Sequence, residues 1–136
     1  MLQLVYISTA REPITPAMCD SILAASRRNN RAAGISGLLV AGRTRFLQAL
    51  EGPTDAVRHT YARIIADQRH FACVLLGERY ADVAQFGAWA MGYSQGGDSA
   101  GDTSLESIVA ALVAPIEDAN LRAHFTGFAA LQARAA

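Results

Sequence analysis

Apolar and polar residues alternate from the start of the chain. Leu2, Leu4 and Tyr6 fall on one side of an extended backbone and Gln3, Val5 and Ile7 on the other, which predicts a strand over residues 2–8, covered partly on both faces. The period then changes. Met18, Ile22, Ala25 and Ser26 recur at helical spacing behind Thr15 and Pro16, a capping residue followed by proline at the first helical position. A first helix is predicted over about residues 16–28, ended by Asn29, Asn30 and Gly34, since asparagine and glycine accept the left-handed backbone of a helix C-terminus. Residues 35–41 (ISGLLVA) and 44–51 (TRFLQALE) read as two apolar strands joined by a short turn, an antiparallel hairpin. Along the second of them Phe46, Gln48 and Leu50 share one face, and Leu47 and Ala49 the other.

Beyond Gly52 and Pro53, the residues Val57, Thr60, Tyr61, Ile64 and Ile65 form the stripe of an amphipathic helix, predicted over about residues 54–68. A buried strand is expected at 71–78 (FACVLLGE) and a last one at 85–93, with Trp89 and Met91 on one face. The order βαββαββ predicts an α+β, ferredoxin-like architecture, a mixed sheet carrying both helices on one face. Residues 1–95 would form this domain, the Gly-, Ser- and Asp-rich stretch 96–102 a linker, and residues 103–136 a helical extension. In that extension Leu105, Ile108, Val109, Leu112 and Val113 form an apolar stripe and Pro115 breaks it. Leu121, Phe125 and Phe128 continue on a further helix weakened near Gly127. These helices are expected to cover the free face of the sheet, or the same face of a second subunit.

Composition narrows the class. At 136 residues, 51% hydrophobic and 18% charged, the chain can bury one domain's core and does not resemble a disordered segment. Its 12 basic residues are all arginine and balance 12 acidic ones without forming a stripe. Direct nucleic-acid binding is therefore not expected, and the absence of lysine excludes amine catalysis. The start MLQLVYIST has no basic n-region and no apolar run approaches the ~20 residues that span a bilayer, so a cytoplasmic protein without membrane contact is expected. Cys19 and Cys73 lie far apart in apolar segments, and His59, His70 and His124 lack ligand spacing. Reduced core cysteines and no metal site are expected.

The informative positions are polar residues where the pattern wants apolar ones, because burying an unpaired amide costs roughly 1 to 3 kcal/mol. Tyr6, Asn30, Gln48 and the Ser26 and Asn29 side of the first helix stand out. Each has an ordinary explanation: a core tyrosine with a bonded hydroxyl, a helix cap, an edge-strand amide facing water. Together they can converge on one pocket for a planar, amide-rich ligand. Asp67, Arg69 and His70 read as a charge-paired turn or as one rim of a cleft between the helices. Trp89 and Met91 are residue types that usually just fill a core. There is no nucleophile elbow, Walker-type phosphate loop or GxGxxG after a strand.

The segments LVYIST, SRRNNRAAGISGLLV, FLQALEGP, IIADQRH and FGAWAMGY occur in an order that resembles the BLUF domain, the sensor of blue light using flavin, over about residues 1–93. The resemblance implies a flavin, usually FAD with FMN as the variant, held non-covalently between the two helices. It implies that Asn30 bonds the N3 and O4 edge of the ring with Asn29 and Ser26 nearby, and that Ile22 and Ile64 pack on the ring faces. Tyr6, Phe46 and Gln48 would border the ring. Asp67, Arg69 and His70 match the family's DxRH segment near the far edge, with Gln68 where the family usually has proline. Light would draw an electron from Tyr6 with its proton passing through Gln48, whose amide is left rotated or tautomerised. Trp89 or Met91 would sense that change and pass it to the helices from 103 onward. The resemblance is to a short, non-enzymatic member, with no effector domain expected after Ala136. Such a member acts by binding an unidentified downstream protein or by changing oligomer, a homodimer first. Two other classes fit the same fold: a light-independent module binding a small ligand, and an acylphosphatase-type hydrolase, whose arginine-cradling loop this chain lacks.

Overall fold

The computed structural model describes residues 1–86, 92–95 and 105–134. In chain order the elements are β1 (Leu2–Ala10), α1 (Pro16–Ala33), β2 (Ser36–Ala41), β3 (Arg45–Gly52), α2 (Thr54–Ile65), β4 (His70–Tyr80), β5 (Gly92–Gln95), α3 (Leu105–Val113) and α4 (Ala119–Arg134). The sheet is five-stranded in the order β4-β1-β3-β2-β5. β1 pairs antiparallel with both β3 and β4, β2 pairs antiparallel with β3, and β5 runs parallel to β2. This is the expected ferredoxin-like plan with a fifth strand added on the β2 edge.

Alternation along the strands sorts the apolar residues into two cores. Leu2, Leu4, Leu39, Phe46 and Leu50 pack with Cys19 and Leu23 of α1 and Val57 of α2. Val5, Leu38, Val40, Leu47 and Ala49 pack with Val109, Val113, Phe125 and Phe128 of the C-terminal helices, together with Phe86. Of the two coverings open to α3 and α4, they take the sheet face of their own chain. No helix among the described residues is long and apolar enough to cross a membrane.

The local chemistry explains where elements start and where they differ from expectation. Thr15 Oγ1 accepts the N–H of Met18 at 3.1 Å and Pro16 opens α1, as its sequence implies. The helix does not end at Asn29 and Asn30. It continues to Ala33, and Gly34 alone takes the left-handed cap at φ 72°, with the Ile35 N–H returning to the Asn30 carbonyl at 2.9 Å. Asn30 is thus a buried side chain inside the helix, one turn beyond Ser26 on the same face. α2 stops at Ile65, short of residue 68. There Asp67 Oδ1 accepts the Arg69 N–H at 2.9 Å and closes a turn that competes with further helix.

β4 departs most from its reading as a buried strand. It lies at the outer edge of the sheet, and Phe71, Val74, Leu75 and Leu76 are between 41% and 52% exposed. An apolar run carries the same signal in a buried strand and at an edge, so topology alone separates the two. Cys73 is accordingly half-buried and not a core residue, while Cys19 is buried; neither is in a disulfide. Of the last strand expected at 85–93, residues 85–86 form a bend and the described strand β5 is Gly92–Gln95. Trp89, Met91 and the linker 96–102 lie outside the described residues.

Candidate functional site

The antiparallel register of β1 and β3 sets Tyr6 opposite Gln48 on the face toward α1 and α2. Tyr6 Oη donates a hydrogen bond to Gln48 Oε1, and both residues are 3% exposed. Burial, with smaller contributions from Cys73, Tyr61 and Asp67, pushes the Tyr6 phenol well above its ordinary range. It therefore holds its proton at neutral pH. On the side of α2 the Tyr61 ring packs against Tyr6 with centroids 5.3 Å apart, tilted by 50°.

Around this pair the sheet and the two helices enclose a cavity of about 230 Å³. One stripe of α1 contributes Ile22, Ala25, Ser26, Asn29 and Asn30; the strands contribute Tyr6, Leu39, Phe46, Gln48 and Leu50. Thr60, Arg63 and Ile64 come from α2, and Asp67, Arg69 and His70 from the turn and strand after it. His70 is held at both nitrogens. Its Nε2 lies 2.5 Å from the Ile64 carbonyl, which can only accept, and its Nδ1 lies 2.8 Å from Ser8 Oγ. Nε2 therefore donates to the Ile64 carbonyl, while the Ser8 hydroxyl, which can donate or accept, partners Nδ1.

Asp67 is gripped by Arg69, whose Nε lies 3.0 and 3.1 Å from the two carboxylate oxygens and whose Nη2 lies 2.5 Å from Oδ2. The Arg69 side-chain hydrogen bond is the main cause that lowers the Asp67 carboxyl below its ordinary range, and Asp67 in turn raises the guanidinium. Both readings of this segment hold at once, since the paired turn is also a rim of the cavity.

Every residue singled out from the sequence as bordering a flavin lies on this one wall: Tyr6, Ile22, Ser26, Asn29, Asn30, Phe46, Gln48, Ile64, Asp67, Arg69 and His70. Ala25, Leu39, Leu50, Thr60 and Arg63 line it too and were not foreseen. Leu39 was within reach of the argument, because it pairs with Gln48 and so shares its face. Thr60 and Arg63 stand one turn before Ile64 and Asp67, a spacing that places them together.

A family model described as BLUF, sensors of blue-light using FAD, matches residues 1–92. The chain belongs to the BLUF family. It is 40% identical over 67 residues to photoactivated adenylate cyclase subunit beta of Euglena gracilis, a match covering 49% of this chain and 8% of that protein. It is 31% identical over 88 residues to the blue light- and temperature-regulated antirepressor BluF of Escherichia coli (strain K12), covering 65% of this chain and 22% of the relative. The chain thus spans only 8% and 22% of the length of these curated relatives. Among solved structures, the BLUF protein BlrB in its dark state superposes with a TM-score of 0.71 at 23% identity, covering 98% of this chain and 96% of the other. That likeness shows a shared fold that extends through the C-terminal helices.

The wall of this BLUF cavity fits the family's cofactor. An isoalloxazine is a planar tricycle with apolar faces and an edge where an imide N–H sits between two carbonyls. Ile22 and Ile64 offer branched aliphatic surface from the two helices, and Asn30 and Gln48 are amides 2% and 3% exposed, with donor and acceptor atoms to match such an edge.

Proposed function

We propose that this BLUF domain is a blue-light receptor whose switch is the proton shared by Tyr6 and Gln48. The observation that carries the reading is their buried hydrogen bond on the wall of the cavity. When bound, the flavin supplies blue absorption and, once excited, an acceptor for one electron. Tyr6 gives up that electron, and its phenolic proton moves along the existing hydrogen bond to Gln48 Oε1. When the electron returns, the protonated Gln48 amide gives one proton back to Tyr6, either the one on Oε1 with rotation of the amide or one from Nε2 to leave the imidic tautomer, and its donor and acceptor sides are then exchanged. Electrons and protons balance over the cycle. What persists is a redirected amide, which would offer a new hydrogen bond to the ring edge and move the absorption to the red.

The remaining wall residues bind and orient. Asn30, with Asn29 and Ser26 beside it, holds the imide edge, while Ile22 and Ile64 cover the ring faces. Phe46 lines the floor, and His70 with the Asp67 and Arg69 pair fixes the far end. Arg63, which no carboxylate pairs among the described residues, suits the phosphates of FAD. The sensing step assigned to Trp89 or Met91 rests on the sequence alone. Output runs through α3 and α4 to a partner protein or a second copy of the chain, and the domain acts as a cytoplasmic sensor without catalysis of its own.

The test is the absorption spectrum of the flavin-loaded protein in the dark, directly after blue light, and after dark recovery. A reversible red shift is expected, and Gln48→Leu should keep the flavin and lose the shift. A flavin spectrum indifferent to light would overturn the receptor reading, and a normal shift in Gln48→Leu would remove Gln48 from the mechanism.

A further inference from the structure

Glu51 stands three residues beyond Gln48 on β3, is 1% exposed, and has no part in the switch described above. Strand alternation turns it to the opposite face, toward α3 and α4. Its carboxylate gathers donors from three segments. The Gln85 N–H lies 2.9 Å from each oxygen, the Phe86 N–H 2.8 Å and Ser36 Oγ 2.9 Å from Oε1, and Gln3 Nε2 3.3 Å from Oε2. No ion pair joins it among the described residues, where hydrogen-bond donors satisfy its buried oxygens.

The segment that Glu51 holds is tied on its other side to α4. Gln85 Oε1 accepts the N–H groups of Glu117 at 3.0 Å and Asp118 at 3.4 Å. Asp118 in turn caps α4 by accepting from Asn120 at 2.9 Å and Leu121 at 3.1 Å, and it pairs with Arg79 of β4. Phe86 packs edge-on against Phe125 of α4, with ring centroids 6.3 Å apart.

We propose that Glu51 is a positioning residue for output, clamping residues 85–86 to β3 so that a rearrangement at Gln48 reaches the start of α4 through the Gln85 side chain. The proposal deepens the light-switch reading and rests on it. β3 lies between β1 and β2 and carries Gln48 on one face and Glu51 on the other, so a displacement of the strand beneath one side chain is felt by the other. A carboxylate is required because every group around it donates. A glutamine there would turn its own NH₂ toward those donors. Coupling of this kind needs two states that both sites bias, so the experiment must read a difference between dark and light.

Amide hydrogen exchange across residues 105–134, measured dark and under blue light with the red shift recorded on the same sample, provides that reading. Wild type should show a light-dependent change in α4. Gln85→Ala leaves the Glu51 bonds to the backbone in place, and should keep the red shift while losing the change in α4. Glu51→Gln should do the same; if it fails to fold, Gln85→Ala decides alone. An unaltered light–dark difference in Gln85→Ala would overturn the proposal. A second measurement needs no light. In protein as purified and kept dark, Gln85→Ala removes the acceptor for two backbone donors and should speed exchange at the start of α4 about tenfold. Unchanged protection there would also overturn it, whereas a missing red shift in wild type sinks the receptor reading and leaves the dark measurement to judge the clamp.

Discussion

Leu47 and Ala49 of β3 face a filled core, whereas Phe46, Gln48 and Leu50, interleaved with them on the same strand, face a cavity. On the filled side the sheet meets α3 and α4 through apolar side chains, with Val109, Val113 and Phe125 at 1% exposure or less. On the hollow side the same strands present a phenol and an amide to a cavity of about 230 Å³, and α1 adds more amides. Native interiors leave few voids larger than a water molecule, so a hollow lined by buried polar side chains marks a binding face and a dense apolar face marks a structural one. The period-two geometry of a single strand serves both.

The comparison breaks most sharply under large-to-small substitution. Phe125 is fully buried on the filled side, and Phe125→Ala should cost about 3–5 kcal/mol, because the lost ring leaves a void that packed neighbours cannot close. Ile22 borders the cavity and is only partly buried, so Ile22→Ala should cost less than about 2 kcal/mol while weakening flavin binding. Denaturant unfolding of both variants without added flavin, paired with flavin titration, checks this. Equal losses of stability would mean that the two faces are packed alike.

Alkaline pH separates the faces on a smaller scale, since the filled side buries phenyl rings that do not titrate and the hollow side buries Tyr6. Burial raises the Tyr6 phenol above its ordinary value of 10.0. Just above that pH the folded chain therefore binds more protons than the unfolded chain. The stabilisation is fully present below about pH 10 and is lost as pH rises toward the folded-state value, at about 1.4 kcal/mol per pH unit. Tyr61 is shifted in the same direction, by burial and by Cys73, and adds to the slope. Thermal unfolding across this range should show Tyr6→Phe declining less steeply than wild type. Parallel curves would place the Tyr6 phenol in contact with water.

Much of this contrast could be read from the residues, and the parts that could not share a physical cause. Tyr6, Asn30 and Gln48 stood out because a polar side chain on an apolar face breaks a period, and breaks in a period are visible in one dimension. Leu39 and Leu50 obey theirs, so nothing distinguishes a cavity wall from a filled core until the strands are paired. Phe71, Val74 and Leu75 obey theirs as well, yet stand half-exposed because β4 is an edge, a property of strand order and not of the run itself. Asn30 fitted a helix cap as well as a ligand-facing amide, and only the αL backbone of Gly34, four residues later, assigns the cap elsewhere. Nothing along the chain marks Glu51 at the end of its predicted strand, since its donors at Gln85 and Phe86 come from far along the chain.

The smallest effect tests what fixes the two helix layers at all. Gly34 ends α1 at φ 72°, and the nearest atoms to an added Cβ are those of the Pro53 ring at 3.8 Å, so there is room for alanine but the wrong backbone for it. Gly127 lies inside α4, where an added Cβ would meet nothing within 4 Å. The same substitution should therefore act with opposite signs. Gly127→Ala should stabilise by about 0.5–1 kcal/mol, by restricting the unfolded chain and favouring helix, and Gly34→Ala should destabilise by about 1 kcal/mol through the left-handed backbone. Thermal unfolding of the two variants beside wild type reads the signs directly. If Gly34→Ala also stabilised, α1 would not be held to its left-handed end, and Asn30 would not be fixed inside the helix and on the cavity wall by that cap.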